Sequence, residues 1–163
     1  MIVAQARSPS FYRDYGVPDT VTARLDMIVL HLVLLLRQLA ATGAATSLGQ
    51  PLFDRFCRDM DDNFREMGVG DLAVPKEMRK VAEAFYGRSK AYEAALAAEG
   101  IETLAQTLAR NIYGVAEPPL GAYRLAAYMR DAAQGLAKQD IVAGRESHFP
   151  DPEAIASPGE PAV

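Results

Sequence analysis

The sequence predicts an all-α protein, a single compact bundle of about six helices followed by a disordered acidic C-terminal tail. Apolar residues recur at spacings of three and four through nearly every segment, which is the period of an amphipathic helix. Glycine and proline fall between these segments, where helices end and begin. No segment shows the alternation that is typical of a strand. We expect one helical domain over residues 1–143 and a Pro/Glu-rich tail over 144–163.

The first long helix is the most apolar part of the chain. Asp19 or Thr20 can cap its amino end, and apolar residues crowd the helix from Leu25 to Leu39. Because they occupy most of its circumference, this helix belongs at the centre of the bundle or keeps one apolar side for a partner. Asp26 and Arg37 close the most apolar run, which is shorter than the roughly 20 residues that span a bilayer.

The next two helices form a predicted hairpin. Pro51 lies in the first turn of one helix, Pro75 opens the other, and Gly68 between them is a natural left-handed cap. A connection this short predicts antiparallel packing. The first helix of the hairpin has a charged face and an opposite apolar face, which consists of Leu52, Phe53, Phe56, Cys57, Met60, Phe64 and Met67.

The remaining helices are placed by the same spacing. The core positions after Pro75 are Met78, Val81, Phe85, Tyr92 and Leu96, and Gly100 ends that helix. A shorter helix carries Leu104, Leu108 and Ile112, and a last one that begins near Pro118 carries Leu125, Met129 and Leu136. From Gly144 onward, spaced prolines and acids leave no apolar face to bury, which predicts disorder.

Composition excludes several classes of protein. The chain has 163 residues, a formal net charge of -4 and one cysteine. A single thiol cannot close an intramolecular disulfide, so we expect a reducing compartment. The acidic balance argues against a general nucleic-acid binder. The amino terminus does not resemble a secretory signal, and no phosphate loop, dinucleotide fingerprint, nucleophile elbow or paired-histidine zinc helix occurs.

Two single residues have both a chemical and a structural interpretation. His31 lies inside the apolar run, where it is either a haem or metal ligand or a neutral core histidine bonded to a backbone carbonyl or carboxylate. The core interpretation is favoured. Cys57 lies on the apolar face of its helix, where a thiol behaves as a small hydrophobic group rather than as a reactive one.

An acidic cluster occupies the middle of the first hairpin helix. Asp59 and Asp62 lie three residues apart on one face, so they could hold a divalent cation. Arginines stand four residues from the acids, which favours a salt-bridged, solvated face instead. The expected pairs are Arg55 with Asp59, Arg58 with Asp62, and Arg65 with Asp61.

The second hairpin helix opens with cations and contains a glycine. Lys76, Arg79 and Lys80 lie at the end of the helix dipole that disfavours them, with Glu83 as the expected partner of the last two. The interior position of Gly87 costs about 1 kcal/mol relative to alanine, which suggests that something approaches its backbone. The candidates are a neighbouring helix and a bound partner segment seated between Tyr86 and Arg88.

The hairpin also carries a family resemblance. The run Asp59–Lys76 with its Gly-Val-Gly-Asp turn, followed by Met78–Arg88, closely resembles the central signature of the ubiquinol-cytochrome c chaperone family. The earlier Tyr15–Asp19 and Leu30–Leu32 are similar to the opening of that family. The resemblance extends over most of the chain, from Tyr12 to Leu136.

This resemblance implies a non-enzymatic assembly factor. It implies binding of newly made cytochrome b and help in assembling the ubiquinol-cytochrome c reductase, without a cofactor. It also implies a possible second small factor and peripheral contact with the inner membrane or the ribosome. Because the amino terminus does not resemble a transit peptide, we expect a bacterial cytoplasm, as against the mitochondrial matrix of eukaryotic relatives. The candidate partner-binding residues, some of which instead lock the helix pair, are Asp59, Asp62, Arg65, Glu66, Asp71, Lys76, Arg79, Lys80, Phe85, Tyr86 and Arg88.

Two alternatives remain open from the sequence. The first is a haem-handling protein for the same client, with His31 and a methionine as ligands. The second is a general helical interaction or oligomerisation module, which would bury its surplus of apolar surface by self-association.

Overall fold

Helices make up the structure. A computed structural model describes residues 1–143 and 147–157. No strand occurs in these ranges, so the predicted all-α bundle is confirmed. The α-helices are α1 (Ile2–Ala6), α2 (Pro9–Arg13), α3 (Val21–Ala41), α4 (Gln50–Glu66), α5 (Val74–Ala97), α6 (Glu102–Leu108) and α7 (Leu120–Ala137). Two π-helical turns, Ala45–Gly49 and Ala109–Tyr113, and one 3-10 turn, Pro152–Ala154, complete the described chain.

Helix α3 lies at the centre of the bundle, as its all-round apolar surface predicts. Its amino end is capped by Thr20, whose Oγ1 accepts a hydrogen bond of 3.1 Å from the backbone N–H of Ala23. It packs closely against α1, α5 and α7. In the described parts of the chain, neither α3 nor any other helix is long and apolar enough to cross a membrane.

Helices α4 and α5 form the predicted hairpin. Gly68 has a φ of +84° and ends α4 in a Schellman motif, in which the N–H of Val69 bonds to the carbonyl of Phe64 and that of Gly68 to Arg65. Phe56 is the only residue of α4 that is buried, at 8% exposed. Helix α4 therefore lies on the surface of the bundle and is held through one face.

The carboxyl half of the chain completes the core. Helix α6 continues through the second π-helical turn to Gly114, which has a φ of +68°. Helix α7 then packs against α6 and α3. At Gly121 a Cβ atom would lie 1.8 Å from the backbone oxygen of Tyr15, so this close approach of the two backbones requires glycine.

The C-terminal segment 147–157 differs from the predicted disorder. It lies against the helices through its own backbone carbonyls: Pro150 accepts from Gln5 Nε2 at 2.9 Å, and Pro152 accepts from Tyr15 Oη at 2.7 Å. Arg124 Nε donates to the carbonyl of Ile155 at 2.9 Å. These bonds order the segment without an apolar helical face. The other residues of the expected tail, 144–146 and 158–163, lie outside the described residues.

Candidate functional site

The acidic face of α4 is partly neutralised by arginines of the same helix. Arg55 Nε lies 2.8 Å from an oxygen of Asp59, and Arg65 Nε lies 2.7 Å from Asp61, as the four-residue spacing predicts. Arg65 also reaches Asp71 in the turn, so it ties the end of α4 to the hairpin loop.

Two acids of this face remain available. The predicted pair of Arg58 with Asp62 does not form in the described structure, and Glu66 likewise makes no ion pair with a described residue. Both carboxylates belong to exposed residues. No group of three or more metal-ligating side chains occurs within the described ranges, so the geometry favours a solvated face over a cation site.

The basic first turns of α5 are also exposed. Lys80 Nζ lies 2.9 Å from Glu77, which corrects the expectation that Glu83 is its partner. Lys76 and Arg79 form no ion pair with the residues that the structure describes. The hairpin therefore carries unpaired cations in the first turns of α5 and unpaired acids in the second half of α4.

The Phe85–Arg88 stretch divides into buried and exposed residues. Phe85 is 5% exposed and its ring centroid lies 4.8 Å from that of Phe53, so this member of the predicted set is part of the core. Tyr86 is 63% exposed and its centroid lies 6.0 Å from that of Phe53. Within residues 1–143 and 147–157, no neighbouring side chain or backbone lies within 4 Å of the position where a Cβ would stand on Gly87. No neighbouring helix therefore explains this glycine, which corrects the first of the two interpretations.

Arg88 joins α5 to the central helix. Its Nη2 lies 2.8 Å from Oδ1 of Asp26, and the two side chains are 19% and 8% exposed. Burial raises the pKa of Asp26 to about 6, although Arg88 opposes the shift. The Nε of Arg88 and the hydroxyl of Tyr92 are buried and have no hydrogen-bond partner in the described structure. Arg88 therefore acts in the packing of the hairpin.

Sequence reasoning missed the role of Asp26. Its partner Arg88 is 62 positions away, so no local spacing rule connects them. The available signal was a carboxylate at the edge of an apolar run in a helix predicted to be central, because a buried charge requires a partner.

His31 is a core histidine with both ring nitrogens bonded. Nδ1 lies 2.7 Å from the carbonyl oxygen of Met27, and Nε2 lies 2.8 Å from the hydroxyl of Tyr128. That hydroxyl also accepts a 3.0 Å hydrogen bond from Gln5. The imidazole is fully buried, and burial lowers its pKa to about 4. A neutral ring that donates from Nδ1 and accepts at Nε2 satisfies this network, which leaves no nitrogen free to bind haem iron.

Cys57 also matches its structural interpretation. It is half-buried on α4, and burial together with Asp54 raises the pKa of its thiol. A protonated, half-buried thiol is a poor nucleophile.

The family model described as ubiquinol-cytochrome C chaperone matches residues 13–149. The chain belongs to the ubiquinol-cytochrome c chaperone family. The matched span contains the whole hairpin, which confirms the resemblance seen in its sequence.

A solved crystal structure has a fold similar to that of this chaperone family member. The crystal structure of the Cbp3 homolog from Brucella abortus is 37% identical in sequence, with a TM-score of 0.80. The alignment covers 95% of this chain and 87% of the relative. A search of curated proteins gives no match.

Proposed function

We propose that this protein is a non-enzymatic assembly chaperone that binds newly synthesised cytochrome b and assists assembly of the ubiquinol-cytochrome c reductase. The observation that carries the proposal is the family match over residues 13–149. Membership supports a role in assembly of this complex, and cytochrome b as the client is our extension of it. We further propose that the protein works in a bacterial cytoplasm, in peripheral contact with the inner membrane or ribosome, with or without a second small factor.

The exposed side of the α4–α5 hairpin is our candidate for the polar part of the client contact. Its unpaired acids, Asp62 and Glu66, and its unpaired cations, Lys76 and Arg79, lie on consecutive helices joined by a short turn. Charged groups of both signs can orient a partner and give specificity. Tyr86 adds an exposed aromatic ring further along α5, beside Phe53 of α4.

The other predicted residues have structural partners that suit a supporting role. Asp59, Arg65 and Asp71 are held in ion pairs along the hairpin. Phe85 and Arg88 attach α5 to the core. We assign these five residues to holding the contact surface in place.

Gly87 supports the same surface. It is exposed, and it stands beside Tyr86 in the middle of a 24-residue helix. A partner segment that lies on this backbone would explain why a residue unfavourable to the helix occupies the position.

Deletion of the gene tests the function directly. We expect membranes of the deletion strain to contain much less assembled ubiquinol-cytochrome c reductase, with restoration by the plasmid-borne gene. Haem absorbance of cytochrome b and native gels measure the complex. A normal level of the complex in the deletion strain would contradict the proposal.

Charge reversal tests the surface. The test variant carries glutamate in place of Lys76, Arg79 and Lys80. We expect its capture of newly made cytochrome b to fall about tenfold. Its melting temperature should change little, because all three side chains are exposed. The control is a triple reversal of the exposed residues Arg37, Arg110 and Lys138, which lie outside the hairpin and change the net charge equally. Equal loss in both triple variants would assign the effect to net charge alone.

A further inference from the structure

An apolar trough lies between α4 and the amino half of α3. Its floor consists of Leu25, Ile28 and Leu32 of α3, and its wall consists of Phe56, Met60 and Phe64 of α4. It comprises two cavities of about 280 and 240 Å³, both of which are lined by Ile28. Residues 1–3 at the start of α1 and the paired Arg55 and Asp59 of α4 also line the larger cavity. We call this feature the α3–α4 trough.

The trough exists because α3, which is apolar on most of its circumference, and the apolar face of α4 lie opposite each other without close packing. The close neighbours of α4 are α5 and the π-helical turn Ala45–Gly49, whereas those of α3 include α1, α5 and α7. Leu25 and Ile28 are consequently only half-buried, although they belong to the most apolar helix. At the open end of the trough, Val21 is 78% exposed and Met67 is 68% exposed. Apolar side chains this exposed, above an apolar floor, indicate a contact surface.

The dimensions of the trough fit a helix. Its α3 side runs from Val21 to Leu35, fourteen residues further on, which is about 21 Å at the 1.5 Å rise of an α-helix. Lining residues recur at spacings of three and four along α3, and at similar spacings along α4. Two such rows form the groove in which the apolar face of a helix of about four turns can lie. The wall includes Met60 and Met67, whose flexible side chains adapt to different partners.

The charged residues at the open end of the trough favour a partner helix that carries an acidic side chain. Arg7 and Arg24 line this end, and no carboxylate does. Arg24 Nε is paired with Asp19 at 2.6 Å, whereas Arg7 has no ion pair with the residues that the structure describes. An acidic side chain on the incoming helix would therefore gain a partner here.

We propose that the α3–α4 trough seats an apolar helix of the client, about four turns long, with an acidic residue placed beside Arg7. The inference rests on the proposed function, because it names the segment type that the chaperone holds. Seating in the trough shields the apolar face of that helix from water until it joins its own complex. The polar face of the hairpin contacts other parts of the same client.

Photo-crosslinking tests the seat. A photoreactive phenylalanine analogue is placed singly at Val21, Met67 and Leu120 of the full chain in growing cells. Leu120 is the matched control, because it is 73% exposed and is the first residue of α7, as Val21 is of α3. We expect cytochrome b adducts from Val21 and Met67 and none from Leu120. Adducts between two copies of this chain, or with a protein other than the client, would overturn the proposal.

A second readout separates this proposal from the function itself. Val21→Glu with Met67→Glu is expected to lower capture of newly made cytochrome b about tenfold, with Leu120→Glu as the matched control. Unchanged capture would overturn the trough as the seat while leaving the proposed function intact. If the proposed function itself is wrong, the wild-type protein will also fail to capture cytochrome b. Circular dichroism and melting temperature confirm that both variants are folded.

Discussion

Two buried polar centres on α3 differ in how completely they are bonded. At His31 both ring nitrogens have partners, and the hydroxyl of Tyr128 extends the network to Gln5 of α1. At Asp26, one turn and a half earlier, the carboxylate has Arg88, but Nε of Arg88 and the hydroxyl of Tyr92 have no partner in the described structure. The first centre joins α3 to α7 and α1, and the second joins α3 to the hairpin.

This difference in bonding separates the α3–α7 core, which is the scaffold, from the α4–α5 hairpin, which carries the proposed contact surface. A fully bonded buried network specifies one arrangement, whereas a partly bonded one costs free energy in the arrangement observed. The part of the molecule with the incomplete network is also the part that exposes Tyr86, Gly87 and the free charges of the proposed contact surface. We infer that the hairpin is attached less rigidly than the α3–α7 core.

Replacement of Arg88 by methionine should have the largest effect. It leaves the carboxylate of Asp26 buried without its cation, which typically costs about 3–5 kcal/mol of unfolding free energy. Urea denaturation measures the loss. The double variant Asp26→Leu, Arg88→Met should recover most of it, because apolar pairs often replace buried ion pairs without loss. A single variant as stable as the wild type would show that the ion pair does not hold the hairpin.

The two centres should respond to acid in opposite directions. The folded protein keeps the Asp26 proton up to a pKa of about 6, whereas an unfolded aspartate releases it near 3.8. Between these values the folded state binds more protons, so this group adds stability as the pH falls. His31 has a folded pKa of about 4 and an ordinary value of 6.5, so the unfolded state binds more protons and stability is lost as the pH falls. Each contribution is on the order of 3 kcal/mol once the pH passes both values.

Two substitutions separate these contributions. Between pH 6.5 and 4.5, Asp26→Asn should lose more stability than the wild type, because the gain from Asp26 is absent. His31→Gln should lose less, because no imidazole becomes charged. The slope of unfolding free energy against pH is the readout, so a change in overall stability does not affect the test. Equal slopes in all three proteins would contradict the opposed titration of the two centres.

Local rules in the sequence predicted the helices and failed for contacts between distant segments. Pro51, Pro75 and Gly68 place the hairpin correctly, because capping and proline geometry act within one turn. The order of segment 147–157 was missed because it depends on backbone carbonyls at Pro150 and Pro152, which leave no apolar period in the sequence.

The sequence predicted which residues belong to the candidate site, but it did not predict for each of them whether it is exposed or packs against the core. The sequence identified the charged hairpin and the odd position of Gly87. The helical period placed Phe85 at a core position, but it did not distinguish Tyr86, which is exposed, from Arg88, which is packed inward. Adjacent residues on a helix point in different directions, and which direction is inward depends on where α3 lies.

Gly87→Ala should have the smallest effect on stability. Alanine meets nothing within 4 Å there, so it should raise the unfolding free energy by up to about 1 kcal/mol through helix propensity. Gly135→Ala in α7 is the matched control, because its added methyl group is equally free of contacts. Thermal denaturation measures both, and a loss of stability in Gly87→Ala alone would contradict the open surroundings of this residue.

Capture of newly made cytochrome b by these two variants tests the central claim most directly. Pulse-labelled cytochrome b is copurified with the wild type, with Gly87→Ala and with Gly135→Ala, each expressed at the same level. If the client backbone lies on Gly87, capture by Gly87→Ala falls about fivefold, equivalent to about 1 kcal/mol, although the variant is at least as stable. Gly135→Ala should capture as the wild type does. Equal capture by all three proteins would contradict the claim that this face of the hairpin holds the client.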